Sequence, residues 1–491
     1  MNSNGREKIL TNYTLEEIEG DVLVLQTVLS NAEQKFTSNV SDIDYLFNYY
    51  AGEQPILERT KEIRPEINNK IVVNYANAIV KFKTGYLLWK PIQYIARKED
   101  TDLDSLAELN DCMVMQEKAS KDKEIADWQS ICGTSYRMGL QNETYDEEMD
   151  DVPFEVRNVH PKNAFVVYSA DTGEALLGVV VLRDVNAGDQ ITKYQIYSKN
   201  KYWVYNTQTQ LFEEDTTHTY GQIPLIEYPL NDQRIGDFEI VLSLLDAINL
   251  TQSNRLDGVE QFIQSLLVFK NIEINKEMLD KLKELGAINI KQNGEIEANV
   301  EYLTQELNQE QVQKLIDSMY SQVLTICGMP SKNNSGGAGS NTGAGVIIAN
   351  GWSEAETRAN DTELVFTASE RLFLKLILYI TRTMTTNKIN LKLSDIDIKF
   401  TRRNYENIYQ KAQVLDLLLK NPKVAPRLAF EVCGLFQDVE TAYQESKDYY
   451  EEGIKESQKL LDQKNNQGNG EENKPNGTEK TTKESEENLN D

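Results

Sequence analysis

Histidine is almost missing from this chain: two residues, His160 and His218, in 491. Ser-His-Asp hydrolysis and histidine-ligated metal chemistry need partners that neither residue has nearby. His218 sits in the strand-and-turn stretch "EEDTTHTYGQIP" with no serine or cysteine elbow beside it, and His160 precedes Pro161 at a predicted strand end. Both read as structural. Cysteine is also sparse. Cys112, Cys132, Cys327 and Cys433 lie far apart and form no CxxC, which excludes a disulfide framework and a cysteine-rich zinc site and fits a reducing setting. No apolar run approaches the ~18 residues of a membrane span, and the polar opening "MNSNGREKIL" does not read as a secretion signal. Positive charge is in deficit: 51 Lys and Arg stand against 78 Asp and Glu, a net charge of -27. That balance excludes a conventional basic DNA-gripping surface. No catalytic residue, metal ligand or cofactor motif emerges, and none is expected.

What is present is ample core-forming material, at 40% hydrophobic residues, in a length that suits two to four domains or one large elongated subunit. The pattern predicts an α+β, mainly helical chain. Residues 1 to about 125 read mostly as helices, in "LEEIEGDVLVLQTVLSNAEQKF", "DIDYLFNYYAG" and "NKIVVNYANAIVKFKTGYLL". From about 126 to 235 the texture is β-rich, as in "FEVRNVHPKNAFVVYS" and "ITKYQIYSKNKYWVYN". A long helix is expected from Asp237, with Ile240, Val241, Leu244, Leu245 and Ile248 on one face. Polar "TQSNR" interrupts it before Leu256, Val259, Phe262, Ile263 and Leu266 resume. A short helix follows, capped by Asn275 and stopped by Gly286, then a hairpin around Asn293-Gly294. The next helix has a capping box at Asn308 and Gln311, a stripe from Val312 to Cys327, and a stop at Gly328 and Pro330. A long helix spans about Val346 to Thr383, roughly 55 Å at 1.5 Å per residue. "NKINLKLSDIDIKFTR" reads as a strand, residues 404–460 as helices, and the segment beyond about Asp462 as a disordered acidic tail.

Between two of these helices lies "SKNNSGGAGSNTGAG", residues 331–345, with five glycines in fifteen residues. It is not a phosphate loop. No glycine is followed by the Walker spacing, and G-x-G-x-x-G fails because its third position falls on Thr342 or Ile348. The preceding element is a helix, where both motifs need a strand. Long structureless loops inside compact chains are usually functional. From Ser331 to Ser353 the only charged residue is Lys332, so this loop can touch a polyanion through amides and hydroxyls without clamping it.

The chain resembles portal proteins of tailed double-stranded DNA bacteriophages, in the branch typical of long-tailed phages of Gram-positive hosts. The resemblance covers roughly residues 40–455. It rests on "YYAGEQPI" (Tyr49–Ile56), "NNKIVVNYANAIVKFKTGYLLWKPIQY" (Asn68–Tyr94), "HPKNAFVVY" (His160–Tyr168) and "IPLIEYPLNDQRIGDFEIVLSLLDAIN" (Ile223–Asn249). Gly236, Asp237, Glu239 and Asp246 stand where that branch has its pattern. Ile248 replaces an aromatic residue, and the glycine loop is longer than usual.

This resemblance implies a portal-type subunit with wing, stem, clip and crown, forming a homo-oligomeric ring of twelve around an axial channel. Its boundaries would be an N-terminal helical arm at 1–40, a wing at 41–235, stem helices at 236–266 and 307–329 flanking a clip at 267–306, and a tunnel loop at 330–345. A long helix with a wing strand would occupy 346–403, crown helices 404–460, and the tail 461–491. Lys332, Asn333, Asn334, Ser335, Asn341 and Thr342 would contact double-stranded DNA, and Gly336, Gly337, Gly339, Gly343 and Gly345 would keep the loop adaptable. Implied partners are the terminase large subunit, a head-completion or adaptor protein, tail proteins, and the major capsid and scaffolding proteins, with no membrane. The implied location is a capsid vertex of the virion, after assembly in the host cytoplasm.

Two other readings compete. A metal-dependent nucleic-acid enzyme could use the acidic pairs Asp395 and Asp397 or Asp438 and Glu440, the first pair sharing one face of a strand. In sequence, neither pair has a basic or histidine neighbour to complete it. An acidic coiled-coil scaffold fits the charge, but not the β-rich region or the lack of sustained heptads.

Overall fold

Leu25, Val28, Leu29, Ala32 and Phe36 recur at three- and four-residue steps and are buried along one face of a 30-residue helix, α2 (Val22–Ala51). The Asp21 side chain caps its start by accepting from the Leu23 amide at 2.8 Å, and Gly52, at φ +109°, ends it in the left-handed region open to glycine. The short helix α1 (Leu15–Gly20) precedes it, opened by a Thr14–Glu17 capping box. The structure is a computed structural model that describes the chain except residues 1–4, 99, 147–151, 185, 187, 189, 264–265, 271–298, 304–308, 332–350, 385–388, 403–407, 437–438 and 468–491. It divides into two units, Met1–Asn407 and Ile408–Asp491.

In the first unit the apolar face of α2 packs on a six-stranded sheet in the order β1-β5-β6-β7-β8-β9. Its strands are β1 (Ile9–Thr11), β5 (Ala164–Ser169), β6 (Ala175–Asp184), β7 (Gln190–Tyr197), β8 (Lys201–Asn206) and β9 (Leu211–Thr217). β1 runs parallel to β5 and the other pairs are antiparallel. The N-terminal segment is therefore an edge strand before it is helical. Its three residues gain their pairing from Val167–Ser169, far away in sequence, which local periodicity cannot register.

A second core gathers helices α4 (Leu103–Met115), α5 (Lys118–Cys132) and α8 (Trp352–Met384) around two smaller sheets. One is β10 (Leu225–Pro229), β3 (Thr134–Gln141) and β4 (Phe154–Val159); the other pairs β2 (Gln93–Ala96) with β13 (Ile396–Lys399). α5 carries the helical region to Cys132, so the β-rich part starts at β3. The C-terminal half of α8, with Phe366, Phe373, Leu374 and Ile377 fully buried, runs through this core.

The third core joins the C-terminal half of α2 to α3 (Tyr75–Leu87), α6 (Leu242–Ile263) and α7 (Gln309–Ile326). α6 starts five residues later than the sequence pattern suggests, because Asp237 is held in a turn by α5. It gives way to β11 (Leu266–Lys270), which pairs antiparallel with β12 (Asn299–Leu303). The expected short helix at 275–286, the Asn293-Gly294 hairpin and the Asn308 cap lie outside the described residues.

The second unit holds α9 (Ile408–Leu419), α10 (Pro426–Cys433) and α11 (Val439–Gln467). α11 continues past Asp462, so part of the segment expected to be tail is helical. Among the described residues no helix is long and apolar enough to cross a membrane.

Candidate functional site

The described residues place a junction where α6 and α7 begin and end, and the four pattern residues at 236–246 build it. Gly236 has no room for a side chain: a Cβ there would lie 2.4 Å from the Ile131 carbonyl. That close approach lets the Asp237 amide donate to the Ser130 carbonyl at 2.8 Å and its carboxylate accept from the Ser130 hydroxyl at 2.6 Å. Burial pushes the Asp237 carboxyl above its usual range, against the pull of Lys83 at 4.0 Å. Glu239 accepts from the Gly236 amide at 3.0 Å and pairs with the buried Arg6 guanidinium. Asp246 accepts from the Tyr49 hydroxyl at 2.9 Å. The start of α6 is thus tied to α5, to the N-terminal segment and to the end of α2. Ile248, fully buried in the third core, fills its site without an aromatic ring.

Farther along α6 the polar stretch "TQSNR" does not interrupt the helix, and its Ser253 joins Asn249 and Asp257 in a ladder. Asn249, Ser253 and Asp257 stand at i, i+4 and i+8 on one helix face. Their side-chain oxygens accept from the backbone amides of Val73, Ile71 and Asn69 at 2.8, 2.9 and 2.8 Å. These alternate amides belong to an extended segment, which is why residues 68–74 are not the helix their spacing predicts. Lys61 and Arg59 close on Asp257 at 2.5 and 3.2 Å; burial pushes its carboxyl up, but the hydrogen bonds from Lys61 and from the Asn69 amide and side chain outweigh that and hold it below the usual range.

α7 and α8 then hold the two ends of residues 332–350. α7 ends in a Schellman motif: Gly328 sits at φ +61°, its amide donates to Thr325, and the Met329 amide donates to Leu324. Tyr320 stacks on Tyr75 of α3 with centroids 4.5 Å apart, and Cys327 donates its thiol proton to the Asp237 carbonyl at 3.7 Å. On the returning side, Trp352 at the start of α8 packs against Phe82 and Tyr86 of α3 at 6.0 and 5.8 Å. A Cβ on Gly351 would lie 3.6 Å from the Pro330 Cα. The chain therefore leaves at Ser331 and returns beside the same point, with both ends braced on one helix. A cleft of about 330 Å³ opens next to it, lined among others by Lys83, Asp237, Ile326, Cys327 and Arg358. The sequence-predicted contacts Lys332, Asn333, Asn334, Ser335, Asn341 and Thr342, and the five glycines, lie outside the described residues.

The α7 stripe splits. Ile316, Val323 and Cys327 are buried, while Leu315 and Ile326 are 53% and 40% exposed. On the α6 side, Ile240, Leu250 and Leu256 are also exposed. The two helices thus carry apolar surface that this chain leaves open to solvent.

Behind the junction, α8 is fixed by a buried charge cluster. Glu370, wholly buried, accepts from the Tyr228 hydroxyl at 2.8 Å and the Tyr94 hydroxyl, and pairs with Lys118 at 2.8 Å and Arg137 at 3.3 Å. Lys118 and Arg137 each also reach Asp122 at 2.7 Å. Two cations balance two carboxylates. Burial pushes the Glu370 carboxyl up, but Lys118 and Arg137 outweigh it and hold it at about 2.

The residues that a catalytic reading would need are occupied elsewhere. His160 follows β4; its ring packs on Phe47 and Trp128, its Nδ1 accepts from the Lys162 amide, and burial lowers it to about 4. His218 faces the Ser198 carbonyl at 2.9 Å. Asp395 precedes β13 instead of sharing its face with Asp397, and pairs with Lys98 at 2.7 Å. Asp397 lies 3.6 Å from Arg371, and Glu440 pairs with Arg427 at 2.8 Å, while Asp438 lies outside the described residues. Among the described residues no group of three or more His, Cys, Asp or Glu is placed to hold a metal ion.

This chain is similar to known proteins. The portal protein of Bacillus phage SPP1 is 20% identical over 397 residues, spanning 75% of this chain and 72% of that protein. A solved structure described as the neck of an empty GTA particle computed with C6 symmetry is 11% identical, with a TM-score of 0.42 over 74% of this chain and 90% of that one. The family described as phage portal protein, SPP1 Gp6-like, matches residues 29–467, which takes in α6, α7, α8 and the junction between them. On that match the chain belongs to the SPP1 Gp6-like family of phage portal proteins.

Proposed function

We propose that twelve copies of this chain form a ring at one capsid vertex, around an axial channel through which a terminase packages double-stranded DNA and through which the DNA later leaves. The subunit has no chemistry of its own. α6 and α7 form the stem that lines the channel, residues 267–306 form the clip that receives the terminase large subunit and later the head-completion, adaptor and tail proteins, and the second unit forms the crown. Major capsid and scaffolding proteins surround the ring, which assembles in the host cytoplasm.

The observation that carries this reading is the return of the chain at Gly351 to the place it left at Ser331, within a portal-family chain. A near-neutral segment of nineteen residues, 332–350, held at both ends by α3, suits a loop that follows a rod of changing phase. Glycine lets copies adopt different poses at little steric cost. The net charge of -27 suits a channel that must release phosphate as readily as it passes it.

Salt titration of duplex binding by purified rings tests this. A protein neutralising many phosphates loses affinity with a log-log slope of about -0.9 per phosphate. Lys332 is the one charged residue between Ser331 and Ser353, so binding is expected to be weak, shallow in salt and without sequence preference. Replacing Lys332 with Ala changes translocation only modestly. Tight binding at physiological salt with a steep slope means a concentrated basic surface, and the sliding-channel account fails.

A further inference from the structure

The second unit is short of core. Among its described residues only Ala429, Phe430 and Cys433, all on α10, are fully buried, with the rings of Phe436 and Tyr443 packed on Phe430 at 5.1 and 5.9 Å. α9 and α11 bury no described residue fully. Meanwhile Leu417, Val432, Tyr449 and Tyr450 are 67%, 70%, 81% and 70% exposed. Leu428 and Val432, at i and i+4, share one face of α10, and Tyr450 and Ile454 share one face of α11. Three helices with so little interior need apolar surface covered by something else.

Charge indicates what covers it. Residues 408–433, which hold α9 and α10, carry four basic and two acidic residues. Residues 439–456, the first part of α11, carry six acidic and two basic residues. Arg427 of α10 and Glu440 of α11 pair with each other within the chain at 2.8 Å, the remaining charges still give the two surfaces opposite sign, and each has exposed large apolar side chains. A head-to-tail contact sets opposite charge against opposite, and such a contact closes into a ring when its rotation allows.

Resting on the ring proposed above, we infer that the acidic, tyrosine-bearing stretch of α11 around Tyr449–Glu452 in one copy docks on the basic, apolar surface that α9, α10 and the turn between them present in the next copy. Lys420 and Lys423, in the turn that joins α9 to α10, and Glu451 and Glu452, on α11, are exposed and carry the two charges. Lys420 reaches back to Asp416 of α9 at 2.6 Å, a surface pair that leaves its charge open to a neighbour.

Two full-length variants test this, Lys420→Glu/Lys423→Glu and Glu451→Lys/Glu452→Lys, read by native mass spectrometry across a dilution series. Each alone sets like charges across every copy-to-copy contact, so its assembly midpoint should rise about tenfold or more at low salt. Mixed in equal amounts, the two variants alternate around a ring, every contact regains opposite signs, and the midpoint should return toward wild type. That recovery also establishes that both variants fold. Unchanged midpoints in both variants, or losses that mixing does not repair, overturn the inference in favour of a cover from elsewhere in the same chain or from another protein. A wild-type chain that never assembles overturns the ring proposal itself.

Discussion

Rings whose residues 333–344 are replaced by a short linker should assemble normally and yet give particles with little packaged or retained DNA. The geometry makes the replacement feasible. Pro330 and Gly351 already lie side by side, so a few residues span the gap without moving α7 or α8. The Schellman end at Gly328, the Tyr75–Tyr320 stack and the Trp352 contacts with α3 all lie outside the deleted stretch. Native mass spectrometry reads the first half of the result, and encapsidated DNA per particle reads the second. Full, infectious particles at wild-type yield would reduce residues 331–345 to an idle connection.

Glu370→Ala should destabilise the first unit by about 3–5 kcal/mol, the cost of leaving buried cations without their carboxylate. Lys118 and Arg137 are 5% and 0% exposed at their side chains and would share Asp122 alone. The hydroxyls of Tyr94 and Tyr228 would lose their acceptor as well. Glu370→Gln keeps one acceptor oxygen and should lose less. The pH dependence has a definite sign. The carboxyl sits at about 2 in the folded protein against 4.5 as its ordinary value, so its contribution is complete above about pH 4.5 and fades as pH falls toward 2. Denaturant unfolding at several pH values should show the wild-type advantage over Glu370→Ala narrowing in that window. A difference under about 1 kcal/mol at neutral pH would mean that the cluster is not what holds α8 in its core.

How much of this could be read from sequence differs by element. The α7 stripe and its stop at Gly328 and Pro330 were legible, because periodicity and stop residues are local. The extended segment 68–74 was not. Its spacing is helical, and its conformation is set by Asn249, Ser253 and Asp257, nearly two hundred residues later. Ser253 was also misread on its own helix, within the polar "TQSNR", since a polar stretch looks like an interruption until a backbone is found against it. A signal was there: the i, i+4, i+8 spacing of Asn249, Ser253 and Asp257 is too regular for a break. β1 escaped because three residues carry no period and its partner is remote. Glu370 gave no local sign of being buried, as a glutamate in a helix normally faces water. The junction pattern at Gly236, Asp237, Glu239 and Asp246 was visible, but its partners Ser130, Arg6 and Tyr49 were not, because each contact crosses the fold.

Single-particle cryo-electron microscopy of the purified full-length chain tests the central claim most directly. The account predicts closed rings with a central hole, α6 and α7 nearest the axis, and the chain between Ser331 and Gly351 pointing into the hole. Monomers or open filaments throughout, or rings in which Pro330 and Gly351 face the outer surface, would contradict it.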